Sequence, residues 1–240
     1  MWMICKKEWQ QFFSSLTGYI ALAVFLLING LLLFVFPDSN ILDFGYASLG
    51  SFFSLAPWVL LFLVPTVTMR SLADEYKQGT FELLSTLPLK PSQIVWGKFF
   101  GALLIVVCAL VPTIIYALSV QQLSITGGID IGATTGSYIG LIFLGAVFTA
   151  VGICASSFTQ NTVVAFIAGA FVCFLLYNGF DAISKLPVFN AGADYYIEML
   201  GINFHYRSIS RGVIDLRDLV YFIIIIVFFL LITQRNLVRR

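Results

Sequence analysis

Apolar and polar positions fall in long blocks along this chain, and the apolar blocks set its architecture. A helix needs about 20 apolar residues to cross the hydrocarbon of a bilayer. Six blocks reach or approach that length: 18–36, 52–69, 99–120, 137–155, 162–180 and 219–233. No alternating pattern of a barrel strand runs through them. In lipid every backbone N–H and C=O must be paired within the segment, so each block predicts a helix. The sixth is short by apolar count, but Arg217 and Arg235 bracket it, and their long stems reach the two interfaces. The first block is too long for a signal peptide and no small-residue cleavage site follows it, so it reads as a retained anchor.

Composition agrees. Of 240 residues, 60% are hydrophobic and 10% charged, where a soluble domain carries about 25% charged. The mean hydropathy is +0.97. The expected class is an all-α integral membrane protein, one domain over 1–240 with six transmembrane helices. A net charge of +1 implies no nucleic-acid partner. Cys5, Cys108, Cys154 and Cys173 lie far apart without metal-ligand spacing, and read as small packing residues. No metal site and no catalytic residue is expected.

Lysine and arginine orient the spans. With the N-terminus inside, the inner segments hold nine of the thirteen basic residues. The other four (Lys185, Arg207, Arg211 and Arg217) share one long outer loop, while Asp38, Asp43 and Asp130 also lie outside. Both termini are therefore expected in the cytoplasm, which an even number of spans requires. Before the first span, Trp2, Cys5, Trp9, Phe12, Phe13 and Leu16 share one helical face and Lys6, Lys7, Gln10 and Gln11 another. That predicts an amphipathic helix lying in the inner interface.

The one sizeable inner loop, 70–98, is polar and punctuated. Residues 71–78 extend the second span. Gly79 ends that piece in a left-handed conformation. Thr80 caps a second helix, with Glu82 in its first turn. Phe81, Leu83, Leu84 and Leu87 form its apolar side, and Pro88 stops it. Pro91 and Ser92 start the helix that leads into the third span. A helix of two turns is not stable alone. It must lie across the inner face and pack on the bilayer or on a partner.

These residues resemble a family. The run from Glu75 through Gly79, Thr80, Phe81, Glu82, Leu83, Leu84, Ser85, Thr86, Leu87 and Pro88, followed by Gly97 and Lys98, is similar to the cytoplasmic loop of ABC-2 type transporter permeases. His205, and then the run from Ser210 to Leu219, resembles the segment before that family's last span. The N-terminal Lys6-Lys7-Glu8-Trp9 also fits. The resemblance covers nearly the whole chain and is nearest the gliding-motility-associated permeases.

The resemblance implies that the loop holds a coupling helix, which docks in a groove of an ATP-hydrolysing subunit present in two copies. Gly79, Thr80, Phe81, Glu82, Leu83, Leu84 and Pro88 would be its contact residues. ATP and magnesium would sit on that partner, with no cofactor on this chain. The chain has no G-x-x-x-x-G-K-[ST] phosphate loop of its own. Six spans make half of the family's usual unit, so a second permease half is implied. It would be a copy of this chain or a distinct membrane subunit with a large outer domain. The family places the protein in the bacterial inner membrane.

The outer segment 181–218 is rich in aromatics. Tyr195, Tyr196 and Met199 have helical spacing, with Phe204 following. The resemblance makes them short re-entrant helices acting as an outer gate. Asp215 is expected to cap the last span. His205, the single histidine, reads as structural. No acidic residue lies in a span core, which argues against a proton- or sodium-driven carrier. Asn29 and Asn178 read as helix contacts, Pro57, Pro65 and Pro112 as kinks, and Gly140, Gly145 and Gly152 as places of close helix approach. Two other classes are open to a chain of this kind. A non-transporting scaffold that transmits force would share every feature above. A membrane-embedded enzyme would need converging groups, and Ser156, Ser157 and His205 are expected near opposite faces.

Overall fold

A computed structural model describes residues 1–36, 48–82, 90–124, 128–186, 193–213 and 215–239. Among these residues the chain is helical and contains no strand. The helices are α1 (Trp2–Phe13), α2 (Leu16–Phe34), α3 (Gly50–Thr68), α4 (Ala73–Lys77), α5 (Pro91–Leu110), α6 (Ile114–Leu123), α7 (Ile131–Phe158), α8 (Thr162–Phe174), α9 (Phe180–Ser184), α10 (Ala193–Glu198), α11 (Ile202–Ser210) and α12 (Leu216–Arg239).

Six runs are long and apolar enough to cross a membrane: Leu16–Phe34, Gly50–Lys77, Pro91–Leu123, Ile131–Phe158, Thr162–Ser184 and Leu216–Arg239. All six expected spans are present, and five are longer than the apolar blocks that announced them. Apolar content marks only the hydrocarbon depth, whereas helical hydrogen bonding continues into the interface. The third span shows this most. It begins at Pro91, where proline's fixed φ suits the first helical position. The Gln93 side chain accepts the Lys90 N–H at 3.2 Å there.

The prolines act differently from one another. Pro112 lies in a 3₁₀ turn, Val111–Thr113, that separates α5 from α6. Pro57 and Pro65 sit inside α3, which stays α-helical from Gly50 to Thr68. A proline at 57 leaves the carbonyl of residue 53 without its helical donor. The Tyr206 hydroxyl fills that vacancy, donating to the Phe53 oxygen at 2.7 Å. The defect in α3 thus becomes the anchor for α11.

α7 is the central helix, with 78% of its most apolar window buried. It packs against α3, α5, α8, α11 and α12. Small residues permit this. A Cβ at Gly152 would overlap Thr68 Oγ1, and one at Gly145 would lie 2.9 Å from Val106 Cγ1. α2 and the α8 run are peripheral, each with 22% of the same window buried. The fifth span also changes its winding, with a π-helical turn at Leu175–Gly179 between α8 and α9.

Candidate functional site

The two termini and both roots of the 70–98 loop meet at one end of the bundle, here the loop end. Their meeting starts with two glycines. Gly97 and Gly101 are one turn apart on α5, and α1 lies against them. A Cβ at Gly97 would be 2.9 Å from Ile4 Cβ, and one at Gly101 would be 2.8 Å from Glu8 Cβ. Only bare backbone lets α1 approach so closely. Ile4 and Cys5 are buried in this contact, while Trp2 is 74% exposed. The packed side of α1 is therefore centred on Ile4, Cys5 and Glu8 rather than on the whole aromatic face the sequence suggests. Burial, with the Glu8 carboxylate nearby, pushes the Cys5 thiol above its ordinary range.

Between the glycines stands Lys98, 1% exposed. Its ammonium reaches Glu8 Oε1 at 2.7 Å, the Ser71 carbonyl oxygen at 2.6 Å and Glu75 Oε1 at 3.0 Å. An ammonium has three protons, and these acceptors match them in number. Lys7 adds a second cation to Glu75 Oε1 at 2.9 Å. The cluster thus pairs two cations with two carboxylates, and α1, α4 and α5 each supply part of it. A buried ion pair gives little net stability against an apolar substitute, because desolvating the charges costs about what their attraction returns. What it does supply is position. Lys98 has these partners in only one arrangement of the three helices.

Two further stitches fix the same end. Ser156 Oγ on α7 accepts the N–H groups of Leu72 and Ala73 at 3.1 and 3.0 Å and donates to the Met69 oxygen at 3.0 Å. These N–H groups lie at the start of α4, where a helix has no donor–acceptor pairing of its own. At the end of α12, Asn236 donates to the Ser157 carbonyl oxygen at 2.7 Å. The serines are thus structural ties at this end, and the histidine lies at the other.

The loop hangs from this joint. Gly79 has φ +68 and ends the α4 segment in the left-handed region. Thr80, Phe81 and Glu82 are helical. The Thr80 hydroxyl donates back to the Glu75 oxygen at 3.4 Å. Phe81 is half-buried with its ring 4.9 Å from that of Tyr76, and Glu82 is exposed. Leu83, Leu84 and Pro88 lie outside the described residues.

At the far end, α10 and α11 carry the aromatic residues singled out in the sequence. Tyr195 and Tyr196 are 54% and 71% exposed, and the Tyr195 ring lies 5.8 Å from that of Phe204. The Met199 carbonyl oxygen lies 2.9 Å from His205 Nε2, and His205 Nδ1 lies 2.7 Å from Asp218 Oδ1. Both ring nitrogens thus face oxygen, and the imidazole is held from two sides. His205 also stacks on Tyr221 at 3.9 Å. The far-end helices are pinned to the last span through this residue. Asp215 accepts the Arg217 N–H at 3.0 Å at the start of α12.

Among the described residues no group of three or more His, Cys, Asp or Glu could hold a metal ion. Glu8, Glu75 and Lys98 stand far apart in the sequence, and their spacing does not announce the meeting. One signal was present: a lysine inside Gly97-Lys98-Phe99-Phe100-Gly101, a charge between two small residues at helix-contact spacing.

Comparison with known families places most of the chain. Residues 2–210 match the family model described as ABC-2 family transporter protein. No curated protein matches the chain.

Proposed function

Because the chain belongs to the ABC-2 family of transporter proteins, a family of membrane permease subunits, we propose that its loop end is where an ABC-type ATPase docks and drives it. The observation that carries this reading is the Lys98–Glu75–Glu8 joint. The helix beginning at Thr80–Glu82 is tied at its root to α1, to the extension of α3 and to α5. A displacement of the loop is therefore passed to two spans and the N-terminal helix together. Packed elements of this kind shift between discrete arrangements rather than bend.

In this reading two copies of the ATPase bind ATP and magnesium and close. They press on Phe81, Leu83 and Leu84, with Glu82 as a polar contact and Gly79 and Pro88 setting the angle of the coupling helix. The loop end faces the cytoplasm of a bacterial inner membrane, as the basic residues there favour. α10 and α11, with Tyr195, Tyr196, Met199 and Phe204, form the outer gate, pinned to α12 by His205. A second permease half completes the path. The likeness of the loop and of the segment before the last span to gliding-motility-associated permeases supports placing the complex in that branch, where it exports a cargo or transmits force.

The test is co-purification of the tagged chain from its native membrane. The wild type brings down an ABC-type ATPase, and Phe81→Glu combined with Leu84→Glu loses it while the helical content of the chain is unchanged. Retention of the ATPase by the double variant would overturn the docking assignment.

A further inference from the structure

A cavity of about 420 Å³ opens at the far end of the bundle, between α3, the start of α7, the π-helical turn and α11. It reaches from Ser48, just before α3, to Trp58 on that helix. From Gly50 to Trp58 a helix rises about 12 Å, so the cavity extends well into the apolar depth of the second span. Its walls nevertheless carry several polar side chains. Asn203 and Tyr177, both lining it, are 6% and 4% exposed. Neither the Asn203 amide nor the Tyr177 hydroxyl has a hydrogen-bond partner in the described structure, and the same holds for the Asn178 amide beside them. Asn203 and Tyr177 are buried residues whose polar atoms open onto the cavity rather than into the protein interior, and Asn178 is half-buried. Three such groups facing one space with no protein partner are set up to receive something.

The fourth group is Arg207. It lines the cavity and forms no ion pair with any described carboxylate. The nearby acids are otherwise engaged. Asp181 binds Lys185 at 2.7 Å, and Asp130, at the cavity rim, caps α7 by accepting the Ala133 N–H at 3.0 Å. A guanidinium cannot shed its charge, and its planar fork matches a phosphate in two-point contact. Its place in the last turn of α11 satisfies the helix dipole but uses none of its five N–H donors. The π-helical turn supplies the rest. By widening the fifth span by one residue per turn it brings Tyr177 and Asn178 to the cavity, and such turns recur at functional sites.

We propose that this cavity binds a phosphate group, held by the Arg207 fork and by the amides of Asn203 and Asn178, with the Tyr177 hydroxyl as a further donor. Trp58, packed edge-on to Tyr177 at 5.7 Å, forms an apolar wall for whatever carries the phosphate. That carrier is either a lipid, whose headgroup enters from the bilayer, or a soluble phosphate ester. The site lies at the end opposite the ionic joint, and its existence does not depend on which ATPase, if any, docks there.

The experiment is isothermal titration of the purified full chain in a phosphate-free neutral detergent. Three probes separate the sources: glycerol 3-phosphate, dihexanoylphosphatidylglycerol below its micelle concentration, and dihexanoylglycerol, which lacks phosphate. Wild type is compared with Arg207→Gln and with Arg211→Gln, an exposed arginine one turn on that does not line the cavity. Loss of a charge-assisted two-point contact is expected to weaken a phosphate probe about tenfold or more in Arg207→Gln, with Arg211→Gln unchanged. Binding of the phospholipid alone assigns the site to a lipid headgroup. Binding of glycerol 3-phosphate as well assigns it to phosphate esters in general. If neither phosphate probe binds, or if both arginine variants bind as wild type does, or if only the phosphate-free probe binds, the proposal is wrong.

Discussion

The two ends of the bundle treat charge in opposite ways. At the loop end Lys98 is buried, all of its protons face acceptors, and each charged partner comes from a different helix. At the far end Arg207 is exposed at a cavity where the Asn203 amide and the Tyr177 hydroxyl have no protein partner. The first arrangement fixes helices against one another. The second leaves binding capacity open. This division suits the proposed coupling of the two ends, because a loose joint would absorb motion and a closed pocket would admit nothing.

Breaking the loop end should give the largest effect. Lys98→Ala leaves the Glu8 carboxylate without its cation and Glu75 with Lys7 alone, and removal of one partner of a buried ion pair costs about 3–5 kcal/mol. Thermal unfolding in detergent should show a large drop in midpoint. Replacing Lys98 by Met together with Glu8→Gln and Glu75→Gln removes every orphaned charge and should recover most of that loss. The far end has one comparable contact. His205→Phe keeps the stack on Tyr221 but strands the Asp218 carboxylate and the Met199 oxygen, a loss of about 2–3 kcal/mol for hydrogen bonds to a charged group. It should appear first as faster proteolysis around α10 and α11, ahead of global unfolding.

Smaller changes sharpen the contrast. Ser156→Ala removes the acceptor for two buried N–H groups at the start of α4, and should cost about 1–2 kcal/mol. Arg207→Gln, by contrast, should shift stability by no more than about 0.5 kcal/mol, as expected for an exposed side chain without partners. An unfolding midpoint in Arg207→Gln as low as in Lys98→Ala would erase the distinction between the two ends.

The spans were legible because lipid imposes one rule, about 20 apolar residues with internally paired backbone, on every crossing segment. The left-handed Gly79 was legible because a helix end followed by a fresh helix start demands it. The ionic joint was not, since Glu8, Glu75 and Lys98 are far apart in the chain and each alone reads as an interfacial charge. Their meeting depends on the depth at which α1 docks, which Gly97 and Gly101 set. The role of Tyr206 was hidden in the same way, because the carbonyl it fills is freed by a proline on another helix. In the sequence Asn178 has the setting of a helix contact, but the π-helical turn carries it to the cavity wall, and that change of winding leaves no trace in the apolar pattern.

In the proposed mechanism the joint passes motion of the loop into the spans. The direct measurement is the distance between spin labels on α4 and α11 in the assembled complex with its ATPase, with and without ATP. An ATP-dependent change is expected in the wild type and is lost in the Lys98→Met, Glu8→Gln, Glu75→Gln variant, although that variant folds and still binds the ATPase. An unchanged ATP response in the variant would contradict it.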